Sequence, residues 1–169
     1  PESTAAFGMQ RIFMHIGRHK SGTSSIQHFL WRNRDWLKER GFIYPKIGMR
    51  SVAHHEIALL MKSPTATKEE VEELAAEFCA DVRGYENIIV SSEAFQNITD
   101  SANVERFFEG FEVIVICYVR EVLDYLQSAY AQLIQNTDQF MSFRVYSARA
   151  NPKYAVMFDQ FKNIASKFV

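Results

Sequence analysis

Residues 11–25 read RIFMHIGRHKSGTSS, an apolar run followed by a glycine-containing turn and a hydroxyl-rich segment. The apolar run predicts a strand, and the segment from Thr23 onward predicts the first turn of an amphipathic helix. A strand, a tight loop and a helix in this order point backbone N–H groups and the positive end of a helix dipole at one spot. Lys20 lies inside the loop. We therefore expect this loop to bind a phosphate-like anion.

The loop is close to a Walker A sequence but places its lysine differently. Gly17 and Gly22 have the separation of G-x-x-x-x-G-K-S/T, yet Lys20 precedes the second glycine and Thr23 follows it. The order G-x-x-K-S/T-G-S/T-S/T resembles the 5′-phosphosulfate loop of sulfotransferases that use 3′-phosphoadenosine 5′-phosphosulfate (PAPS). The alternative, a β–α turn without a ligand, explains a lysine and three hydroxyls poorly. The residues that this resemblance assigns to the donor are Gly17, Arg18, Lys20, Ser21, Gly22, Thr23 and Ser24.

A second motif follows the strongest predicted strand, residues 112–119. Arg120 comes directly after it, and Ser128 lies eight residues later in a predicted helix. Arginine binds phosphate through a bidentate fork, and a serine hydroxyl can complete such a site. This spacing resembles the 3′-phosphate motif of the same family. The alternative is an arginine that pairs with Glu121 or Asp124 on a helix face, but two motifs in the family's order favour PAPS binding.

Glu93 follows the predicted strand at residues 87–92. In PAPS sulfotransferases a glutamate or a histidine at this place activates the acceptor, so the resemblance implies that Glu93 is the general base. A structural role as a hydrogen-bond partner is the alternative for Glu93. His55, of the pair His54 and His55, is the rival base, since neighbours on a helix point about 100° apart and at most one faces a given site. A metal is not expected at these histidines, because no clustered Cys or carboxylate completes a ligand set.

The resemblance implies in-line transfer of a sulfuryl group from PAPS to a hydroxyl or amine of a carbohydrate, lipid or small-molecule acceptor. It further implies that Lys20 neutralises charge on the bridging oxygen, that Glu93 or His55 takes the proton, and that no metal is needed. Two other functions stay open. One is a P-loop nucleotide or metabolite kinase, disfavoured by the position of Lys20 and by the lack of a Walker B aspartate at a strand end. The other is a non-catalytic nucleotide-binding module of the same fold.

Composition limits the partners. The 169 residues carry a net charge of −1, which gives no general attraction to nucleic acid or to an anionic membrane. The longest apolar run, Val113–Val119, is too short to cross a bilayer. Cys79 and Cys117 lie far apart and suggest no disulfide framework. With no signal-peptide pattern, we expect a cytoplasmic protein. Its oligomeric state and its acceptor stay open.

The predicted elements alternate between strand and helix. Strands are predicted at residues 10–16, 42–45, 87–92 and 112–119, and helices at residues 23–40, 52–61, 68–82, 102–109, 122–135 and 152–165. This order predicts an α/β protein with a three-layer, P-loop NTPase-like fold, a parallel sheet flanked by helices. Ligands of such sheets bind at the carboxyl ends of the strands. We expect a flexible tail at residues 1–8 and a single sulfotransferase-like domain at 9–169, incomplete at its carboxyl end, where a further strand and the family's basic, glycine-rich segment would follow.

Overall fold

A parallel sheet forms the centre of the molecule in a computed structural model that describes residues 9–17, 22–98, 101–137, 141–150, 154–162 and 164–169. The strands are β1 (Arg11–Gly17), β2 (Phe42–Ile43), β3 (Asn87–Ser91), β4 (Glu112–Tyr118) and β5 (Lys167–Phe168). The helices are α1 (Thr23–Arg32), α2 (Arg34–Lys38), α3 (His55–Lys62), α4 (Lys68–Asp81), α5 (Ala102–Phe107), α6 (Val122–Asn136), α7 (Phe143–Arg149) and α8 (Tyr154–Phe161), with a 3-10 turn at Glu93–Asn97.

The strands are ordered β2-β3-β1-β4-β5, with every neighbouring pair parallel. On one side of β1, His15 pairs with Ser91 of β3, and on the other side Gly17 pairs with Tyr118 of β4. The carboxyl ends of these three strands therefore meet at one edge of the sheet. The prediction of an α/β protein with a parallel, helix-flanked sheet is confirmed.

Side chains of the central strands alternate between two apolar layers, as the period of a strand requires. Ile12, Met14 and Ile16 of β1 point into the larger layer, which is completed by buried residues of α3, α4, α5 and α8. The opposite layer is smaller and contains Leu30 and Leu37, from α1 and α2. Full burial of each large aliphatic or aromatic side chain contributes about 1.5–3 kcal/mol, so the layer under α3–α5 anchors the strand ends that carry the site.

The helix predicted at residues 23–40 is divided at Asn33. The Asn33 side-chain amide donates to the carbonyl oxygen of Phe29 over 2.7 Å, and the Asn33 backbone N–H donates to the same oxygen over 3.0 Å. A short polar side chain that competes for a backbone carbonyl ends a helix readily, and α2 begins at the next residue. Gly41, predicted as the stop, has a φ of 78° and follows α2 in the left-handed conformation.

Other elements also differ from the sequence prediction. The helix predicted at residues 52–61 begins only at His55, because the His54 backbone N–H donates to the Ser91 carbonyl oxygen over 2.8 Å and keeps His54 outside α3. α7 was not predicted. The last helix ends at Phe161 rather than Ala165, and β5 follows it and pairs with β4. Residues 1–8, where we expected a flexible tail, lie outside the described residues.

Candidate active site at the carboxyl edge of the sheet

The anion loop predicted between β1 and α1 is described at both of its ends. Gly17 ends β1 and is buried, while Arg18, Lys20 and Ser21 lie outside the described residues. Gly22 has a φ of 84° and is the N-cap of α1, with its carbonyl oxygen accepting from the Ser25 N–H over 3.1 Å. The N–H groups at the very start of a helix, here those of Thr23 and Ser24, have no carbonyl partner within the helix. The start of α1 is therefore suited to donate hydrogen bonds to an anion, and anion binding stays a prediction.

The start of α1 borders a cavity of about 610 Å³. Thr23 and Ser24 line it from α1, and Glu93 lines it from the 3-10 turn after β3. The remaining wall consists of Tyr125, Ala129, Gln132, Leu133, Asn136 and Thr137 from α6 and its end, and Tyr146 from α7. The fold thus brings two of the sequence-predicted groups, the hydroxyls at the helix start and the Glu93 carboxylate, to one cavity.

The Glu93 carboxylate is held from two sides. The Gln27 side-chain amide on α1 donates to Glu93 Oε2 over 2.8 Å, and the His55 Nε2 atom on α3 lies 3.8 Å from Glu93 Oε1. Gln27 is only 3% exposed. A buried amide is costly unless it is hydrogen-bonded, so this contact fixes both the amide and the carboxylate that accepts from it.

His55 lies beside Glu93 and is not among the described residues that line the cavity. Its Nδ1 atom lies 2.8 Å from Ser92 Oγ, and that hydroxyl also accepts from the Ala94 N–H over 3.1 Å. An Nε2–H group facing the carboxylate is the favourable tautomer, since a carboxylate only accepts, and it leaves Nδ1 to accept from Ser92. His55 and Glu93, rivals in the sequence analysis, are therefore neighbours in one network.

His54 has a structural role in the described chain. The Ser91 N–H donates to His54 Nδ1 over 3.1 Å, so the ring carries its proton on Nε2, which donates to the Pro45 carbonyl oxygen over 3.0 Å. Complete burial lowers the pKa of His54 to about 4, although the hydrogen bond to the Pro45 carbonyl oxygen opposes the shift. A neutral ring thus ties the end of β3 to the segment after β2.

Two polar residues near the site were not singled out by sequence reasoning. His15 is buried in β1, its Nδ1 atom lies 2.7 Å from Ser91 Oγ, and burial lowers its pKa to about 4, opposed by the charge of Glu93. Gln27 is the other. Thr23, Gln27 and Leu30 are the buried residues of α1, and their i, i+4, i+7 spacing was the available signal that Gln27 faces inward.

Arg120 follows β4 at the same edge of the sheet. Its Nε atom lies 3.9 Å from Asp124 Oδ2, with both side chains substantially exposed. The pairing with Asp124 that the sequence analysis considered is therefore present. An exposed ion pair contributes at most about 1 kcal/mol, so Arg120 can leave Asp124 for a phosphate at little cost. Glu121 instead caps α6, and the hydrogen bond that it accepts from the Asp124 N–H lowers the pKa of its carboxyl. Ser128 is half-buried on α6.

Among the described residues, no group of three or more His, Cys, Asp and Glu side chains is placed to hold a metal ion. None of the described helices has the length and apolar character that a bilayer crossing needs. Comparison of the sequence with protein-family models and with curated proteins finds no match.

Proposed function

We propose that this protein is a sulfotransferase of P-loop NTPase-like fold that transfers a sulfuryl group from PAPS to a hydroxyl or amine. One observation carries the proposal: the start of α1 and the Glu93 carboxylate line the same cavity of about 610 Å³. An anion-binding helix start and a carboxylate that can accept a proton are the two parts that this transfer requires.

The donor is held at both of its phosphate groups. The first-turn N–H groups of α1, the hydroxyls of Thr23 and Ser24, and the Lys20 ammonium bind the 5′-phosphosulfate end. Arg120, after the neighbouring strand β4, binds the 3′-phosphate together with Ser128 of α6. The register of Gly17 with Tyr118 supports this division, because it puts the carboxyl ends of β1 and β4 side by side at one sheet edge.

When bound, PAPS supplies a sulfuryl group activated by its bond to the 5′-phosphate. Glu93 accepts the proton of the acceptor hydroxyl as that oxygen bonds to sulfur and the bond from sulfur to the phosphate oxygen breaks. Lys20 neutralises the charge that the phosphate oxygen gains. The products are a sulfate ester, 3′-phosphoadenosine 5′-phosphate and a protonated Glu93, which returns its proton to water.

Within this proposal Glu93 is the base and His55 orients it. Glu93 faces the cavity, whereas His55 meets Glu93 through Nε2 and Ser92 through Nδ1. A general base must come within hydrogen-bonding reach of the proton that it removes, and Glu93 is the one of the two that lines the cavity.

Replacing Glu93 by glutamine tests the assignment. We expect Glu93→Gln to lower kcat by about 10²–10⁴-fold, because general-base catalysis typically contributes that much, while the affinity for 3′-phosphoadenosine 5′-phosphate stays the same. The measurement is release of that nucleotide from PAPS in the presence of carbohydrate, phenol and amine acceptors, with calorimetry for affinity. Glu73→Gln, on the exposed side of α4, is the control. An unchanged rate in Glu93→Gln, with an inactive His55→Ala, would make His55 the base.

A further inference from the structure

The wall of the cavity beyond Glu93 is formed largely by one face of α6. Tyr125, Ala129, Gln132, Leu133 and Asn136 line it, and their spacing of four, seven, eight and eleven residues keeps them on one side of a helix. From Tyr125 to Asn136 the helix rises about 16 Å, at about 1.5 Å per residue. The cavity is thus an elongated site that extends from the proposed base along α6.

Its second wall is held in place by aromatic packing between α6 and α7. The ring of Tyr130 lies 5.4 Å from the ring of Phe143 and 5.5 Å from the ring of Tyr146, measured between centroids. The Tyr130 hydroxyl donates to the Met141 carbonyl oxygen over 2.7 Å. These contacts fix Tyr146 against α6, and both Tyr146 and Tyr125 line the cavity. Because the Tyr146 side chain is already held in place, little conformational entropy is lost there when a ligand binds.

The polar groups that line this wall are uncharged. Gln132 and Asn136 provide amides and Thr137 a hydroxyl, and the two tyrosines provide phenols with aromatic faces. Partial burial and the nearby phenol of Tyr125 raise the pKa of Tyr146, so its hydroxyl stays a neutral donor at physiological pH. Hydroxyls of a ligand would find both donors and acceptors here, and the tyrosine rings offer flat surfaces for the face of a sugar ring.

The described part of this wall offers less to the other acceptor classes. Among the described residues that line the cavity there is no Lys or Arg, although these are the side chains that bind sulfate and carboxylate groups of a polyanion. Ala129 and Leu133 are the aliphatic residues of that lining. Apolar ligands are bound mainly by hydrophobic and aromatic side chains, so a wall with so many amides and hydroxyls suits a lipid tail poorly.

We propose that the α6 cavity binds an uncharged, polyhydroxylated acceptor, a neutral oligosaccharide, with one of its hydroxyls presented to Glu93. The inference rests on the proposed function for the role of Glu93. Binding of the sugar itself depends only on the wall formed by α6 and α7.

The experiment uses cellotetraose and maltotetraose as neutral probes, chondroitin sulfate as the polyanion and 4-nitrophenol as the small phenol. Saturation-transfer NMR measures binding of each probe to the full chain, with and without 3′-phosphoadenosine 5′-phosphate, and calorimetry measures the nucleotide alone. We expect a neutral tetrasaccharide to bind and the other two classes to bind at least about tenfold more weakly, a difference of about 1.4 kcal/mol.

Variants locate the binding on this wall. Asn136→Ala and Tyr146→Ala should each raise the Kd of the tetrasaccharide about tenfold, the typical result of losing one well-placed hydrogen bond or ring contact. Neither variant should change the nucleotide affinity. Gln135→Ala is the matched control, since Gln135 is an exposed neighbour on α6 outside the cavity lining, and it should bind the tetrasaccharide as the native protein does.

The outcomes separate this inference from the proposed function. Nucleotide binding together with a preference for chondroitin sulfate or 4-nitrophenol, or with no effect of Asn136→Ala and Tyr146→Ala, would overturn the neutral-sugar acceptor and leave the sulfotransferase proposal standing. Tetrasaccharide binding that these variants weaken, in a protein that does not bind the 3′-phosphorylated nucleotide, would support the sugar site and contradict the sulfotransferase proposal.

Discussion

Gln27 illustrates at the scale of one residue how a carboxylate is made ready for proton transfer. Its amide is buried on α1 and donates to Glu93 Oε2, across 66 positions of sequence. A hydrogen bond to the ionised carboxylate stabilises the charged form and fixes the direction in which the carboxylate points. We therefore assign Gln27 as a positioning residue for the proposed base.

Removing the Gln27 amide should show both effects. We expect Gln27→Leu, which keeps most of the volume, to lower kcat about tenfold and to move the acidic limb of the pH–rate profile to higher pH, because the charged carboxylate loses a stabilising donor. The measurement is kcat against pH for the native protein and the variant. Gln27→Glu is not a suitable control, since it adds a second carboxylate. Gln135→Leu serves instead, because it removes an exposed amide on α6 outside the cavity lining. If the pH–rate profile of Gln27→Leu matches that of the native protein, Gln27 contributes only to packing.

The buried imidazole of His54 makes stability depend on pH. Burial lowers its pKa from 6.5 to about 4 in the folded chain. Between these values the unfolded chain binds a proton that the folded chain does not, so the stabilisation is complete above pH 6.5 and is lost as the pH falls toward 4. The shift corresponds to about 3 kcal/mol, at about 1.4 kcal/mol per pKa unit. His15 acts in the same pH range, because burial lowers its pKa similarly.

His54→Asn should reduce the slope of stability against pH in that range. Asparagine offers a donor and an acceptor for the Pro45 and Ser91 backbone groups but takes up no proton. Urea unfolding at several pH values between 4 and 7.5 measures the slope. His28→Asn is the control, because His28 is exposed on α1 and its side chain meets solvent in both states. An unchanged slope in His54→Asn would show that other groups set the pH dependence.

At the scale of one element, α3 depends on the turn that precedes it. Gly48 has a φ of 72°, and a Cβ at this position would overlap the buried Ile57 side chain of α3. The Gly48 carbonyl oxygen also accepts from the Glu56 N–H over 3.1 Å in the first turn of α3. The turn at Gly48 therefore packs closely against the first part of α3 and fixes its position. Because His55 is the first residue of α3, this contact also positions His55 beside Glu93.

Comparing Gly48→Ala with Gly84→Ala separates two costs to stability: the overlap of a new Cβ with Ile57, and the strain of a left-handed backbone. Gly84 also has a positive φ, of 87°, but a Cβ there would meet nothing within 4 Å. We expect Gly84→Ala to cost about 1–2 kcal/mol from the left-handed backbone alone, and Gly48→Ala to cost about 1–3 kcal/mol more from overpacking against Ile57. Urea midpoints at constant m-value give the two free energies. Equal costs would show that α3 tolerates displacement at this turn.

The elements differ in how well local sequence determines them. β3 and β4 are runs of β-branched residues and were predicted to within one residue at each end, because buried parallel strands need such runs. The division of the first helix at Asn33 was not predicted, since a single side-chain hydrogen bond to the Phe29 carbonyl decides it. The 100° separation expected for His54 and His55 did not apply, because the hydrogen bond of the His54 N–H to the Ser91 carbonyl oxygen keeps His54 outside α3, which begins at His55.

At the scale of the whole molecule, the sheet order assembles the candidate site. The rule that ligands bind at the carboxyl ends of parallel strands was sufficient to predict that Glu93 and Arg120 lie at one edge of the sheet, just after β3 and β4. The roles assigned to them came from the family resemblance and stay predictions. Gln27 was missed because its contact depends on how α1 packs over the sheet. The acceptor wall was missed as well, since α7 was not predicted and Tyr146 reaches the cavity only through its packing against Tyr130.

The most direct test of the central claim is a calorimetric titration of the full chain with 3′-phosphoadenosine 5′-phosphate, alongside ATP with Mg²⁺ and the nucleotide that lacks the 3′-phosphate. We predict micromolar binding that is selective for the 3′-phosphorylated nucleotide, and a loss of that selectivity in Arg120→Ala, because a guanidinium that binds one phosphate contributes only where that phosphate is present. Tighter binding of ATP with Mg²⁺, or equal losses for both adenine nucleotides in Arg120→Ala, would contradict the account.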